Sequence, residues 1–396
     1  MSTPGPDLAP LSRKAFTLKE IGFEDLKAWD ADDHAAAFNT FLKSVKQLHT
    51  LLTQRPSNET ALTRTQSKQA LLTAVNATLE IAPDIERPQA KAFFERYFRP
   101  HRVMQDISPG LVTGYFEPEL RGSCRQHGSF QIPVHKRPVD LVNLVEDSKR
   151  GTTQNHLTHA RKTRNGHEPF PTRQQIECGA LSGQNLEIVY LEDPVDKFFM
   201  QIQGSGLIEL DDGTTLRLTY DGKNGHPYTS LGRHLIQSGE FTNETMTVET
   251  LGQWLRSDSK RAQEAMWKNK SYVFFRKLNP DEADGPLGVD KTTLVPGRSM
   301  AVDTSFHPLG TPIYVEAPNL DTFATGSDQT ASSRGFSRLM IAQDVGSAIT
   351  GPERGDIFYG TGNAAGNRAG ETKHHATFTV LLPVLPNETN EKGGKA

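Results

Sequence analysis

The sequence predicts a mainly β protein whose N-terminal part is helical. Apolar residues recur at helical spacing within residues 1–100, as Phe38, Leu42 and Val45 illustrate. The last part of the chain instead holds short apolar runs separated by glycine and proline, a pattern typical of strands in a small barrel. We therefore expect helices first and a strand-rich body after them.

Each predicted strand is an apolar or alternating run bounded by turn residues. In the C-terminal part, the predicted strands cover residues 299–302, 312–315, 339–342, 357–359 and 378–382. The earlier candidates cover residues 111–116, 130–134, 186–191 and 216–220. Two or three helices are expected between residues 230 and 268.

Residues 136–173 are rich in Lys, Arg, His, Asn and Thr and show no apolar period. We predict a long surface excursion here. Its basic side chains form either a solvated face or a docking surface for an acidic polymer, and the pattern alone leaves both open.

Composition argues against some classes of protein. The formal net charge is −3, which gives no support for nucleic-acid binding, because duplex-binding proteins usually carry a strongly basic face. No stretch approaches the ~20 consecutive apolar residues of a membrane-spanning helix. The first residues lack the apolar core of a signal peptide, and the sequence does not say whether a targeting segment has been trimmed.

The cysteine pattern and the short motifs predict neither a metal nor another cofactor. No His-Glu-x-x-His and no paired Cys or His set occurs at metal-ligand spacing. Cys124 and Cys178 are expected to be free and buried, with a single bridge as the alternative in an oxidising compartment. Ser205 lies in Gly-Ser-Gly, which lacks the Gly-x-Ser-x-Gly pattern of a nucleophile elbow.

Three aspartates lie at the ends of predicted strands. Asp344 and Asp303 each follow an apolar run, and Asp356 precedes one. An aspartate directly after a buried strand is readily desolvated, which raises its pKa toward the value that a general acid needs near neutral pH. The three side chains converge if the strands belong to one barrel. Alternatively, each aspartate caps a turn by accepting backbone N–H bonds.

Residues 220–228 combine two tyrosines with Lys, Asn and His. Aromatic faces stack on sugar rings, and amide and ammonium groups bind hydroxyls and carboxylates. The Asp-Gly and Asn-Gly pairs within this segment are also ordinary turn signals. The segment is therefore either a substrate site for a sugar polymer or a loop.

At these residues the sequence resembles the membrane-bound lytic murein transglycosylase A family. The matching segments follow one another in the order typical of the family and together are highly specific. They are LVTGYFEP (111–118), MQIQGSG (200–206), residues 220–228, SYVFF (271–275), AVD (301–303), PLGT (308–311), AQDVGSAI (342–349) and GDI (355–357).

The resemblance implies a double-psi β-barrel catalytic domain and a smaller β-rich domain inserted into it, with a groove for a glycan strand between them. The catalytic domain would comprise residues 1–114 and 276–396, with the three-aspartate region at 276–385. The inserted substrate-binding domain would comprise residues 115–275.

The resemblance also implies an activity. The enzyme would cut between N-acetylmuramic acid and N-acetylglucosamine, and the product would be a 1,6-anhydro sugar. Asp344 would serve as the single acid and base. We expect Asp303 to hold turn backbone and Asp356 to orient the site or influence the protonation of Asp344. The expected glycan-binding residues are Thr113, Tyr115, Gln203, Ser205, Tyr220, Lys223, Asn224, His226, Gly346 and Ser347.

Two other functions stay open at this point. One is a non-catalytic glycan-binding scaffold, and the other is a hydrolytic endoglycosidase on a related barrel. The family resemblance implies peptidoglycan strands as the ligand, a periplasmic or cell-envelope location associated with the outer membrane, and cell-wall synthesis or hydrolysis proteins as partners. We expect a monomer.

Overall fold

The computed structural model describes residues 16–54, 67–105, 109–146, 157–320 and 335–385. Its strands form a nine-stranded, a six-stranded and a three-stranded sheet. Part of the predicted surface excursion, residues 147–156, lies outside the described residues, as does the end of the chain from 386 onward. No helix among the described residues is long and apolar enough to span a membrane.

The strands are β1 Thr17–Glu20, β2 Phe98–Met104, β3 Leu111–Glu117, β4 Glu119–Ser123, β5 Ile132–His135, β6 Leu141–Asn143, β7 His159–Thr163, β8 Gly166–Glu168, β9 Glu187–Leu191, β10 Ser205–Leu210, β11 Thr215–Lys223, β12 Val273–Leu278, β13 Ser299–Val302, β14 Pro312–Ala317, β15 Phe336–Asp344, β16 Arg354–Thr361, β17 Lys373–His375 and β18 Thr377–Pro383. The helices are α1 His34–Gln54, α2 Lys68–Leu79, α3 Arg87–Tyr97, α4 Pro194–Gln203, α5 Leu231–Gln237, α6 Val248–Ser257, α7 Ser259–Met266 and α8 Asn363–Glu371. Short helical turns, left without labels, cover Phe23–Asp25, Trp29–Ala31, Arg173–Gln175 and Ile176–Ala180.

The nine-stranded sheet joins the two ends of the chain. Its strand order is β1-β2-β18-β14-β15-β13-β16-β3-β17. The central strands are mostly buried and each contains an apolar run, and β13 is buried at every residue. Strands that are covered on both faces read as continuous apolar runs, which explains why the sequence located them well. Within the described residues this sheet has two edge strands, β1 and β17, and contains both parallel and antiparallel pairs. The small barrel predicted from the sequence is therefore seen here as an open mixed sheet.

The N-terminal helices pack on one face of this sheet. Phe38, Phe41 and Phe94 are fully buried in a cluster that includes Leu339 and Ile341 of β15. The predicted helices are confirmed, and Leu79, an apolar residue of α2, is 44% exposed. It is the last residue of α2, where the apolar stripe has already left the core.

The six-stranded sheet has the order β12-β11-β10-β4-β9-β5 and uses residues 119–278 only. The chain enters it directly from the nine-stranded sheet, since Pro118 alone separates β3 from β4. The helices α5, α6 and α7 form its neighbouring apolar cluster with α4, which confirms the prediction of two or three helices between residues 230 and 268.

The predicted surface excursion is wrong in part, because β6, β7 and β8 form a three-stranded sheet there. Strands of three to five residues are too short to show an apolar period. The Asn165-Gly166 pair was the sequence signal that could have predicted a hairpin here, because Asn-Gly pairs favour tight hairpin turns. In the structure this pair lies at the turn between β7 and β8, and Gly166 has a φ of +128°.

The cysteine prediction is correct on pairing and wrong on burial. Cys124 and Cys178 are both free, and both are exposed. Each lies outside the apolar clusters of the six-stranded sheet and the neighbouring strands.

A buried polar network fastens β15 to the N-terminal segment. Arg298 donates to both oxygens of Asp32 at 3.0 and 2.7 Å, and the Leu339 amide donates to the same carboxylate at 2.8 Å. Further along β15, the Gln343 amide donates to the Thr40 carbonyl and the Ser44 hydroxyl at 3.0 and 2.8 Å. The strand that ends at Asp344 is therefore held at two points.

Candidate active site

Four adjacent strands bring polar side chains into one row. Ala301 of β13 is in register with Asp344 of β15 on one side and with Asp356 of β16 on the other. Asp356 is in turn in register with Thr113 of β3. Residues in register across a sheet share a face. With about 5 Å between strands, the two aspartate backbones lie about 10 Å apart, and the small side chain of Ala301 leaves space between them.

Asp344 is the last residue of β15 and is partly buried. Its Oδ1 accepts the backbone N–H groups of Val289 and Val345 at 3.1 and 2.9 Å. Hydrogen bonds donated to a carboxylate stabilise its charged form. This geometry therefore favours an ionised Asp344, whereas the sequence assigned it the role of the acid.

Asp356 lies inside β16 and has different surroundings. Its Oδ1 accepts a short hydrogen bond from the Thr113 hydroxyl. Burial raises the pKa of Asp356, while the charge of Arg354 and the bond from Thr113 act against that rise without cancelling it. A raised pKa is the property that a general acid requires. The structure thus offers Asp356, whose pKa is raised, as the candidate acid of the pair.

Asp303 follows β13 and binds loop backbone. Its Oδ1 accepts the Ser305 amide at 3.0 Å and the Ser305 hydroxyl at 2.6 Å, and its Oδ2 accepts the Gly351 amide at 2.8 Å. Gly351 belongs to the loop between β15 and β16, which carry Asp344 and Asp356. Asp303 therefore holds the connection between the two other aspartates.

We expect Asp303→Ala to lower the melting temperature and to leave turnover within a few-fold of wild type. The substitution removes the acceptor of two part-buried amide hydrogen bonds, and a hydrogen bond to a charged group contributes about 1.5–3 kcal/mol. Thermal unfolding followed by circular dichroism measures the first effect and steady-state kinetics the second. An unchanged melting temperature with lost turnover would instead place Asp303 in the chemistry.

Tyr115 lies near both carboxyl groups, Asp344 and Asp356. It is two residues beyond Thr113 on β3, so the two side chains share a face, and its ring packs on Phe358 with centroids 5.3 Å apart. Burial raises the pKa of Tyr115, and the nearby charges of Asp344 and Asp356 raise it further. Within the described residues its buried hydroxyl has no partner of good hydrogen-bond geometry, although the Asp344 carboxylate lies beside it.

A fourth carboxyl group, Asp290, was missed by the sequence analysis. It lies in the turn that also supplies the Val289 amide to Asp344. Burial raises the pKa of Asp290 to about 6, with a contribution from the charge of Asp344 and an opposing hydrogen bond from the Thr292 amide. Asp290 does not directly follow a strand, so no apolar run pointed to it in the sequence. The usable signal was the nearby Gly288, where the backbone packs so closely that a Cβ would lie 2.2 Å from the Gln343 carbonyl oxygen.

Lys223 connects the six-stranded sheet to this site. It is the last residue of β11, is only 6% exposed, and its Nζ lies 3.4 Å from the hydroxyl of Ser347. Ser347 and Gly346 belong to the loop directly after Asp344, and Ser347 is exposed. Two predicted glycan-binding residues, Lys223 and Ser347, therefore lie in contact beside Asp344.

Gln203 and Ser205 lie at the junction of the two sheets. Gln203 ends α4, and its Oε1 accepts the Phe116 amide at 3.1 Å, next to Tyr115. Ser205 begins β10 and is buried. Gln203 thus helps to fix the end of β3, and its predicted contact with glycan stays a prediction.

Asn224 and His226 hold the loop in which they lie. The Asn224 amide donates to the carbonyls of Pro171 and Lys270 at 2.9 and 2.8 Å, and its carbonyl accepts the Tyr272 amide at 2.9 Å. His226 Nε2 contacts the Phe170 carbonyl at 2.7 Å. Asn224 is fully buried, so its geometry indicates a loop-forming role.

Tyr220 lies on β11 in register with Phe275 of β12, just before a bulge at Gly222. It is partly buried. Lys223, which contacts the loop after Asp344, follows this bulge at the end of β11.

Comparisons with known proteins place this architecture in a known class. A family model described as the MltA specific insert domain matches residues 111–276, and a 3D domain model matches residues 298–382. The chain is 34% identical over 271 residues to the membrane-bound lytic murein transglycosylase A of Escherichia coli strain K12. That match covers 68% of this chain and 64% of the relative, so the chain spans less than two thirds of the length of this curated relative.

The chain belongs to the membrane-bound lytic murein transglycosylase A family, which confirms the resemblance seen in the sequence. A membrane-bound lytic murein transglycosylase from Agrobacterium tumefaciens has a similar structure, with a TM-score of 0.78 at 33% identity, covering 93% of this chain and 98% of that one. The E. coli MltA structure with bound chitohexaose is also similar, with a TM-score of 0.60 at 26% identity, covering 93% of this chain and 92% of that one.

Proposed function

We propose that this protein is a lytic transglycosylase of peptidoglycan that cleaves the β-1,4 bond between N-acetylmuramic acid and N-acetylglucosamine. The observation that carries the proposal is Asp356. It is a carboxyl group with a raised pKa on the same face as Asp344, two strands away, whose carboxylate accepts two backbone amides. Family membership supports the substrate, since the relatives are named murein transglycosylases and one neighbour holds chitohexaose.

In the proposed reaction Asp356 acts first as an acid and then as a base. Its proton passes to the glycosidic oxygen, the bond from that oxygen to C1 of the muramic acid breaks, and the bonding electron pair leaves with the oxygen. The C6 hydroxyl of the same sugar then attacks C1, and its proton returns to Asp356. An intramolecular nucleophile needs little further ordering, so no water has to be activated. The product is a 1,6-anhydro sugar.

Asp344 has a different role in this scheme. Its carboxylate, fixed by the Val289 and Val345 amides, stabilises the positive charge that develops at C1 in the oxocarbenium-like transition state. A preorganised charge costs little reorganisation when the reaction occurs. The family resemblance assigned the acid role to Asp344, and the hydrogen bonds of that carboxylate are the reason for moving the role to Asp356.

The proposal extends to domains and location. The nine-stranded sheet would carry the double-psi arrangement, with residues 115–275 as the inserted domain and the glycan groove along the contact between Lys223 and Ser347. The names of the relatives, which describe them as membrane-bound, support a cell-envelope location. Peptidoglycan strands would be the ligand.

Mass spectrometry of the muropeptides that the purified protein releases from peptidoglycan tests the proposal. An anhydro end is lighter than a reducing end by one water. Anhydro products from the wild type and none from Asp356→Asn are expected. Reducing ends would indicate a hydrolase, and binding without release would indicate a glycan-binding scaffold.

We expect Lys223→Ala to raise KM and leave turnover nearly unchanged. The ammonium group can bind a carboxylate of the lactyl group or stem peptide equally in ground and transition states, and loss of such uniform binding appears in KM alone. Steady-state kinetics on soluble glycan strands measures both constants. Lys277→Ala, which removes an exposed lysine from β12, is the control. A fall in turnover at constant KM would mean that the contact forms only in the transition state.

A further inference from the structure

We propose that Arg354 is a positioning residue that acts through Thr113 to decide which oxygen of Asp356 carries the transferred proton. The inference rests on the proposed role of Asp356 as the acid. It concerns a residue that the sequence analysis did not single out.

The geometry starts from strand register. Arg354 and Asp356 are two residues apart on β16, so their side chains share a face. The Nη2 of Arg354 donates to the Thr113 hydroxyl oxygen at 2.8 Å, and the same hydroxyl donates to Oδ1 of Asp356. The Nη1 of Arg354 donates to the Gly355 carbonyl at 2.5 Å, which fixes the plane of the guanidinium group.

The donor and acceptor chemistry allows one arrangement of hydrogens. A guanidinium group has only donors, so the Thr113 oxygen must accept from Arg354. The single hydrogen of that hydroxyl is then directed to Oδ1 of Asp356. Since Oδ1 accepts, a protonated Asp356 carries its hydrogen on Oδ2, which accepts no hydrogen bond within the described residues. Arg354 therefore orients the acid without touching the substrate.

In the described part of the chain, charged and titratable groups reach the neighbourhood of Asp356 from β3, β15, β16 and β17. Arg354 and Tyr359 lie on its own strand, Tyr115 on β3, and Asp344 across β13. Lys373 of β17 is in register with Thr113 and is exposed. Of these, the charge of Arg354 and the bond from Thr113 lower the pKa of Asp356 against the effect of burial. Removing Arg354 must therefore raise that pKa.

The first experiment measures the pH dependence of kcat for Arg354→Leu. The acid must be protonated, so activity falls as the pH rises through the pKa of Asp356. We expect this alkaline limb to move to higher pH in the variant, and turnover at the optimum to fall about 10- to 100-fold because the acid is misoriented. Arg276→Leu, a half-buried strand arginine of the other sheet that pairs with Glu282, is the matched control and is expected to behave as wild type.

A conservative variant and a double mutant separate positioning from packing. Arg354→Lys keeps the positive charge and loses the planar pair of donors. We therefore expect its alkaline limb to lie at the wild-type pH, and its turnover to be higher than that of Arg354→Leu but below wild type. In a Thr113→Val background, the effect of Arg354→Leu on turnover should be smaller than in wild type, because the bridge between them is already absent. Should Arg354→Leu fail to fold, Thr113→Val alone is expected to move the limb in the same direction.

Two results would overturn the proposal. One is an alkaline limb that stays in place in both Arg354→Leu and Thr113→Val. The other is full additivity of the two substitutions on turnover, which would leave Arg354 a purely structural contact. If either result is found while the wild type still releases anhydro products, the role of Arg354 is refuted and the proposed function stands. A wild type that releases no anhydro product refutes the proposed function itself.

Discussion

Asp356→Asn is expected to lower turnover by about 10²–10⁴-fold, the usual contribution of general acid–base catalysis. Asparagine keeps the shape of the side chain and the hydrogen bond from Thr113, but it cannot give a proton to the glycosidic oxygen. Steady-state release of muropeptides measures the loss. A variant with more than about a tenth of wild-type turnover would exclude Asp356 as the acid.

The same variant is expected to fold at least as stably as wild type at neutral pH. Because folding raises the pKa of Asp356, the stability linked to its proton is full below the unfolded pKa and is lost as the pH rises through the folded value. Asparagine has no proton to lose, so the variant escapes this loss. Thermal unfolding at several pH values checks the sign.

Asp344→Asn is the paired variant for this prediction. It should lower turnover, because the charge facing C1 is lost, and leave the alkaline limb of the pH profile in place. The pKa of Asp356 is set mainly by burial, Arg354 and Thr113. If Asp344→Asn is inactive while Asp356→Asn keeps substantial turnover, the acid is Asp344, as the sequence predicted.

Asp32→Ala is expected to lower the free energy of unfolding by about 3–5 kcal/mol, because it leaves a buried Arg298 without its partner. Burial alone would raise the pKa of Asp32, but the charge and hydrogen bonds of Arg298 and the Leu339 amide lower it below its ordinary value. The stabilisation is therefore present at neutral pH and is lost as the pH falls through the folded pKa. Denaturant unfolding at neutral and acidic pH measures both effects.

Asp30→Ala is the matched control for Asp32→Ala. Asp30 pairs with Lys91 at 2.7 Å on the surface, where its side chain is 87% exposed. Exposed pairs of this kind contribute little to the free energy of unfolding, because solvent screens the two charges, so we expect a smaller loss than in Asp32→Ala. Equal losses in the two variants would mean that burial of the Asp32–Arg298 pair does not govern its contribution.

The sequence located the site residues along the chain but not their roles. Each of β13 to β16 contains a short apolar run, so the sequence alone places Asp303 and Asp344 after such runs and Asp356 before one. Family motifs added the expectation of a glycan strand. The local sequence pattern predicts the positions of strands because a buried strand contains a continuous run of apolar residues.

The roles depend on contacts between distant parts of the chain. Thr113 and Asp356 meet from positions 243 residues apart, and the Val289 amide reaches Asp344 from 55 residues away. Asp290 lies in a turn with no strand signal before it, so nothing local marked it. Sequence spacing contains no information on which backbone N–H groups will point at a carboxylate.

The sequence by itself thus determined the helical beginning, the strand-rich body and the positions of the three aspartates, because periodicity and turn residues are local properties. The tertiary structure alone decided that β15, β13, β16 and β3 lie side by side, and that Asp356 is desolvated while Asp344 accepts two amides. Protonation follows from burial and from hydrogen bonds to the charged form, and both arise only when non-sequential strands pack together.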